Sequence, residues 1–270
     1  MAMRILLVIF ALMFASPAWA WNEEGHSIVA ELAQRRLTPE ALAKVKQILG
    51  GEISLASISS WPDDIRDQRP DTYNWHFVSI PLAETTYDET LYCQERQGRG
   101  DCVIKAIDRL RTILSDPQAP MAAKKDALKF LVHFIGDIHQ PLHSVFENLG
   151  ENLLTVSFFI DPRNKNREVT NLHAVWDTNL IRNQFWAWGT YVDWLETNWF
   201  PTHDLKALSA GTTVDWMLDA HKVAADAATP GVMMNDELDQ AYATRMRPFL
   251  DTQLALGGLR LARVLNETLK

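Results

Sequence analysis

FLVHFIGDIHQPLH, residues 130–143, is the stretch on which the reading of this chain turns. Apolar residues recur at helical spacing from Ala122 to Ile138, so a helix is expected there, ended or kinked by Pro141. This apolar helix carries ionisable groups. His133 and Asp137 stand four residues apart and share one side of a helix, where an imidazole and a carboxylate can take the same ion. His143 follows just past Pro141, where the chain can turn back toward that side. A buried charge without a partner is expensive. The groups therefore need a metal, or they are polar residues satisfied inside a core helix; spacing alone leaves both readings open. His139 lies six positions from His133, falls on the opposite side of the helix, and reads as structural.

Working outward, the same spacing returns at His173 and Asp177 in NLHAVWD (171–177), and at His143 and Glu147. Three His-x3-acid pairs stand where chance supplies roughly one. Gly25-His26, Trp61-Pro62-Asp63 and Trp75-His76-Phe77 are weaker candidates, each a polar residue beside aromatics or at a turn. His203 and His221 have no partner pattern and read as scaffold. Trp186, Trp188, Trp194, Trp199 and Trp216 read as packing. A donor set of imidazoles and carboxylates without thiolates favours an open catalytic zinc site over a closed structural one.

Composition bounds the alternatives. Of 270 residues, 47% are hydrophobic and 22% charged, which excludes a wholly disordered chain. Two cysteines exclude a disulfide-built scaffold and Cys-rich zinc modules. A net charge of −8 argues against binding duplex nucleic acid through a broad basic face. The first twenty residues, MAMRILLVIFALMFASPAWA, combine Arg4, an apolar run from Ile5 to Phe14, Pro17 and a small-x-small ending, the pattern of a secretory signal peptide. Cleavage after Ala20 leaves Trp21 at the new terminus and one catalytic domain over 21–270, with no membrane attachment and a secreted or periplasmic location. In that oxidising setting Cys93 and Cys102, nine residues apart, are expected to form a small-loop disulfide.

The remaining pattern predicts a mostly α single domain. Two short helices are expected over 27–49, the second opened by Thr38-Pro39-Glu40 and stopped by Gly50-Gly51. Residues 57–72 read as loop. Helices are expected over 103–115, 172–199 and 215–228, with a long amphipathic one over 236–266. Short strands are expected near 76–80 and 153–160, although LLTVSFFI (153–160) fits a buried helical turn equally well.

Taken in order, WxxxGH (21–26), SWPDDIR (60–66), WHFVSIP (75–81), FLVHFIGDIHQPLH and NLHAVWD give a chain that resembles the zinc-dependent S1/P1 nucleases over roughly residues 21–180. The resemblance implies the helical fold shared by zinc-dependent phospholipase C and P1 nuclease, and three zinc ions per chain. Asp63, His76, His133 and Asp137 would bind one. Asp137, His26 and the free amine and carbonyl of Trp21 would bind a second, and His143, His173 and Asp177 the third. Asp63, Arg66 and Asp137 would act on the reacting phosphate. Arg66, Phe77, Ser79 and Asn152 would contact substrate, Phe77 by stacking on a base. The implied substrates are single-stranded DNA and RNA and 3′-nucleotides, cleaved to 5′-phosphorylated products, with no obligatory protein partner. Since a terminal amine is a better zinc ligand than an amide, an uncleaved precursor is expected to lack one zinc.

This chain departs from the family pattern at Ser79, where relatives carry Asp, and at Glu151, a glycine in the family's D-x-G-G-N loop. Two cysteines and a single glycosylation sequon at Asn266 point to a bacterial-type member. The competing readings are a zinc-dependent phospholipase C acting on lipid head groups, whose last ligand pair usually ends in Glu where this chain has Asp177, and a metal-binding protein that has lost catalysis.

Overall fold

The computed structural model describes residues 21–161, 166–184 and 187–270. The leader reading and Trp186 lie outside those residues. The architecture is mostly helical. Its principal helices are α1 (Glu23–Gln34), α2 (Pro39–Leu49), α3 (Val103–Ser115), α4 (Met121–Asp137), α5 (Thr213–Val223) and α6 (Gln240–Thr268). Helix α4 is the hub: α1, α2, α3 and α6 all pack on it. That explains why Ala127 to Ile138 are apolar nearly all round and almost wholly buried.

Local signals set the helix ends. The Thr38 side chain accepts a hydrogen bond from Ala41 N and Pro39 occupies the first turn of α2, while Gly50 closes it with φ 85°. The Asn22 side chain caps α1 by accepting from Gly25 N. Helix α6 crosses α1 at Gly257-Gly258. A Cβ on Gly258 would run into Leu32, and one on Gly257 would lie 3.1 Å from Val29 Cγ2. No described helix is long and apolar enough to cross a membrane.

Among the described residues, three strands form one small sheet in the order β2-β1-β3. Strand β1 (Thr155–Asp161) pairs antiparallel with β2 (Asn166–Asn171) and parallel with β3 (Asp236–Leu238). Val156 and Phe158 face the core, as the alternation within 153–160 allowed. The disulfide Cys93–Cys102 is present.

Three expectations change. Residues 76–80 are not a strand of the sheet. Pro70–His76 is a 3-10 turn, and the extended residues after it lie along the His143 segment, with Val78 N donating to His143 O (2.9 Å) and Ile80 N to Ser144 O (3.1 Å). Residues 57–72 are not loop but a chain of short turns, Ala56–Ile58 and Trp61–Asp64 leading to Pro70, with prolines in the first turn of the latter two. The last helix starts at Gln240, not 236, because Asp239 caps it by accepting from Ala241 N and Tyr242 N while Asp236–Leu238 completes the sheet.

A candidate metal centre

Four parts of the chain meet around the C-terminal end of α4. The helix itself brings His133 and Asp137, one turn apart. The turn Trp61–Asp64 brings Asp63, the 3-10 turn ending at His76 brings that imidazole, and α1 brings His26. Asp137 sits between them. Its Oδ1 lies 3.3 Å from His26 Nε2, and its Oδ2 lies 3.2 Å from His76 Nδ1 and 3.4 Å from His133 Nε2. Asp63 Oδ1 lies 3.5 Å from His76 Nδ1 and 3.6 Å from His133 Nε2. The rings of His26 and His133 stack with centroids 3.8 Å apart. A second cluster forms where Pro141–Ser144 faces Leu172–Asn179. His143 and His173 lie with ring centroids 4.9 Å apart, and His173 Nε2 is 3.4 Å from Asp177 Oδ2. Asp177 sits in a π-helical turn, Val175–Asn179, a distortion frequent at functional sites.

Backbone carbonyls orient the rings. His133 Nδ1 donates to Ser59 O (2.7 Å), His143 Nδ1 to His76 O (2.7 Å) and His173 Nδ1 to Gly150 O (2.5 Å). Each bond leaves Nε2 as the lone-pair nitrogen turned to the cluster, the tautomer a metal ligand needs. The carbonyl for His173 belongs to an unusual turn. Asn148, Leu149, Gly150 and Glu151 all have left-handed backbones, with φ 47°, 56°, 67° and 62°. For the three non-glycine residues that conformation costs about 1–2 kcal/mol each. Even glycine fits tightly here, since a Cβ on Gly150 would lie 2.9 Å from Leu142 O.

Trp21 joins the two clusters. Its buried indole donates from Nε1 to Gly136 O (2.9 Å), and Asn22 N donates to Asp177 O (3.1 Å). The backbone of Trp21 is thus held between α4 and the Asp177 turn. Gly136 makes room: a Cβ there would lie 2.8 Å from His26 Nδ1.

The donor chemistry fits cations. Among the described residues, three groups have ligand atoms within 4.8 Å of one another: His26, Asp63 and His133; His76, His133 and Asp137; and His143, His173 and Asp177. Buried atoms without a hydrogen-bond partner concentrate here: both nitrogens of His26, Asp63 Oδ1, His76 Nε2, both oxygens of Asp137 and His143 Nε2. Leaving such atoms unsatisfied costs about 1–3 kcal/mol each. Burial pushes the carboxyls of Asp137 and Asp177 well above the usual range. Burial likewise holds His26, His76 and His143 well below the ordinary imidazole value, with neighbouring imidazoles adding to the effect, and His173 at about 4. Burial would lower His133 too, but the carboxylates of Asp137 and Asp63 raise it to about 9. Divalent ions would balance the buried carboxylates and take the lone pairs of the imidazoles.

Eight of the nine expected positions fall within these groups, and Trp21 lies beside them through its bonds to Gly136 and the Asp177 turn; His26 faces Asp63 and His133 as well as Asp137. Arg66 lies with Cζ 4.2 Å from the Tyr73 ring centroid, and its charge reaches His76, Asp137, His143 and His173. Phe77 is half-buried, edge-on to Tyr73 at 6.2 Å, and Ser79 is half-buried beyond it. Asn152 donates its amide to Leu149 O (2.7 Å). Glu151 is buried and accepts from Asn148 Nδ2 (2.8 Å). The scaffold histidines are occupied elsewhere. His139 donates to Ile135 O, and His221 lies between Ser144 and Pro81 carbonyls. Glu147 accepts from Leu82 N rather than facing His143's cluster. At the sequon, Asn266 is bonded to Thr38 N and Arg36 O.

Sequence reasoning missed Gln140. It is wholly buried, donates from Nε2 to Asp177 Oδ1 (2.5 Å) and accepts from Leu142 N (2.6 Å). The second bond fixes the amide so that its NH2 must face Asp177, leaving Oδ2 for the cluster. The signal was a glutamine inside the run 130–143, unremarkable by composition.

Comparison with known proteins agrees with this geometry. The S1/P1 nuclease family model matches residues 21–270. The chain is 32% identical to Endonuclease 4 of Arabidopsis thaliana over 92% of this chain and 89% of that protein. It is 29% identical to Nuclease P1 of Penicillium citrinum, covering 92% and 97%, and 28% identical to Nuclease S1 of Aspergillus oryzae, covering 93% and 92%. Over residues 21–270 the chain belongs to the S1/P1 nuclease family.

Proposed function

We propose that this nuclease is a three-zinc phosphodiesterase that cleaves single-stranded DNA and RNA, and 3′-nucleotides, to 5′-phosphorylated products. The observation that carries this reading is the convergence of buried, unsatisfied His and Asp atoms into groups of ligand spacing. Asp63, His76, His133 and Asp137 would hold one zinc; Asp137, His26 and the freed terminus of Trp21 a second; His143, His173 and Asp177 the third. Zinc supplies Lewis acidity toward a phosphoryl oxygen and lowers the pKa of water toward about 7.

The chain's own residues do the rest. Arg66, held against Tyr73 with its charge reaching His143, would bond a non-bridging phosphate oxygen. Phe77 offers a ring face to one base, a contact worth about 1–3 kcal/mol. Stacking needs an unpaired base, which favours single strands, and does not consult the 2′-hydroxyl, so both sugars are accepted. Ser79 and Asn152 would meet the base edge. Asp63 and Asp137 hold the reacting site together, Asp137 through both oxygens. Export of the chain, with loss of residues 1–20, belongs to the same reading because only cleavage frees the Trp21 amine.

The test is hydrolysis of matched single-stranded and duplex substrates by the mature protein, with end-group analysis, before and after chelation. Chelator-sensitive cleavage of the single strand to 5′-phosphates is expected. Activity indifferent to chelation, or confined to a phosphatidylcholine substrate, would overturn the reading.

A further inference from the structure

The loop closed by Cys93–Cys102 carries chemistry that the metal centre does not use. Its sequence, QERQGRGD (94–101), presents Arg96 and Arg99 exposed on one side of a cleft of about 480 Å3, lined also by Asn74, Glu95 and Gln97. The loop is built rather than loose. Asn74 N donates to Arg99 O (2.9 Å), Asn74 Nδ2 to Gly100 O (2.9 Å) and Arg99 N to Arg96 O (2.9 Å). Gly100, at φ 85°, sits so close that a Cβ would lie 2.6 Å from Asp71 O and run into the Trp75 indole. Asn74 and Trp75 immediately precede the ligand His76, so the loop is anchored to the element that shapes the centre.

Most arginines in the described chain are paired with carboxylates, but neither Arg96 nor Arg99 has such an ion-pair partner among the described residues. The one acid in the cleft, Glu95, accepts from Gly100 N (3.2 Å). Arg99 Cζ lies 4.9 Å from the Tyr73 ring centroid, the ring that also carries Arg66 at 4.2 Å. The two guanidinium carbons are therefore no more than about 9 Å apart, with Phe77 edge-on to the same ring. In an acidic protein this is a short basic track leading away from the centre.

We infer that Arg96 and Arg99 form a phosphate subsite that holds the nucleic-acid strand one or more phosphates away from the scissile one. The inference rests on the nuclease reading and adds a substrate-length dependence to it. Guanidinium groups without carboxylate partners on an exposed, pinned loop suit a phosphodiester backbone, and the contact carries no base preference.

The experiment compares a dinucleotide, which has a single phosphodiester, with a long single-stranded oligonucleotide, using zinc-loaded wild type, Arg96→Gln, Arg96→Gln/Arg99→Gln and the exposed control Arg245→Gln. For the double variant, kcat/KM on the oligonucleotide is expected to fall about tenfold, mostly through KM. The slope of its logarithm against log salt should flatten by about 0.7 for each phosphate the variant no longer holds. The dinucleotide should change less than about twofold, and Arg245→Gln should match wild type on both. Arg96→Gln alone, which leaves the Tyr73 ring stacking untouched, should give part of the effect with an unchanged melting temperature. Equal losses on both substrates, or an unchanged salt slope, would overturn the subsite while leaving the nuclease reading intact. Wild type inactive on both would overturn the two together.

Discussion

His139 and His143 sit four residues apart, both buried, on opposite sides of one segment. His139 faces α6. Its Nδ1 donates to Ile135 O (2.7 Å) and its Nε2 lies 3.1 Å from Arg260 Nη1, so both nitrogens are satisfied by protein. His143 faces the centre. Its Nδ1 is bonded to His76 O, but its Nε2 has no partner. The same residue type, buried in both places, is satisfied by protein on one side and turns an unpartnered nitrogen toward the cluster on the other. What separates them is whether the second nitrogen is already spoken for. Burial alone is uninformative; burial with an unsatisfied lone pair points to an ion.

The largest effect is expected at Asp137, whose two oxygens lie 3.3 Å from His26, 3.2 Å from His76 and 3.4 Å from His133. Asp137→Asn should cut activity by more than about 100-fold, beyond the range for residues that only orient ligands. On the proposed ligand set it should also release zinc from the two sites that would share Asp137, as elemental analysis would show. Retained zinc with retained activity would remove Asp137 from the centre. Next in size is the chain end. A precursor in which residues 1–20 remain attached to Trp21 should bind one zinc fewer than the mature chain and be nearly inactive, because an amide replaces the amine. Full metal content in that precursor would separate Trp21 from the ligands.

Gln140 acts one step back, through its bond to Asp177 Oδ1. Gln140→Ala should weaken zinc at the His143–His173–Asp177 group by about 10–100-fold, read by competitive chelation, while the other two sites hold. A uniform fall at all three would mean that Gln140 acts on the fold instead. The smallest effect is on the scaffold side. Burial and the charge of Arg260 hold His139 down at about 3, against an ordinary value of 6.5. Below pH 6.5 the unfolded chain takes up a proton that the folded chain refuses. This contribution to stability is therefore intact above 6.5 and lost as pH falls toward about 3. His139→Asn should flatten that part of the acid unfolding curve and leave zinc affinity unchanged.

Much of the site was legible because helical spacing ties His133 to Asp137 and His173 to Asp177 wherever the helices pack. The helices over 103–115 and near 122–138 were legible for the same reason, apolar periodicity on a buried face. What escaped has a tertiary cause. The stretch after His76 is extended only to bond the His143 segment, a partner with no trace in its own residues. The left-handed turn Asn148–Glu151 contains one glycine, so its conformation is imposed by the contacts around Gly150 and His173 rather than announced locally. The strand Asp236–Leu238 is too short for periodicity to register and exists because β1 offers it an edge.

On the proposed reading Trp21, His26, Asp63, His76, His133, Asp137, His143, His173 and Asp177 together hold three ions. Zinc stoichiometry of the mature chain beginning at Trp21, measured alongside activity through a cycle of chelation and zinc return, tests it most directly. Three zinc ions per chain, with activity lost and regained in step, is the predicted result; one ion or none, or cleavage that continues in the chelated protein, would contradict it.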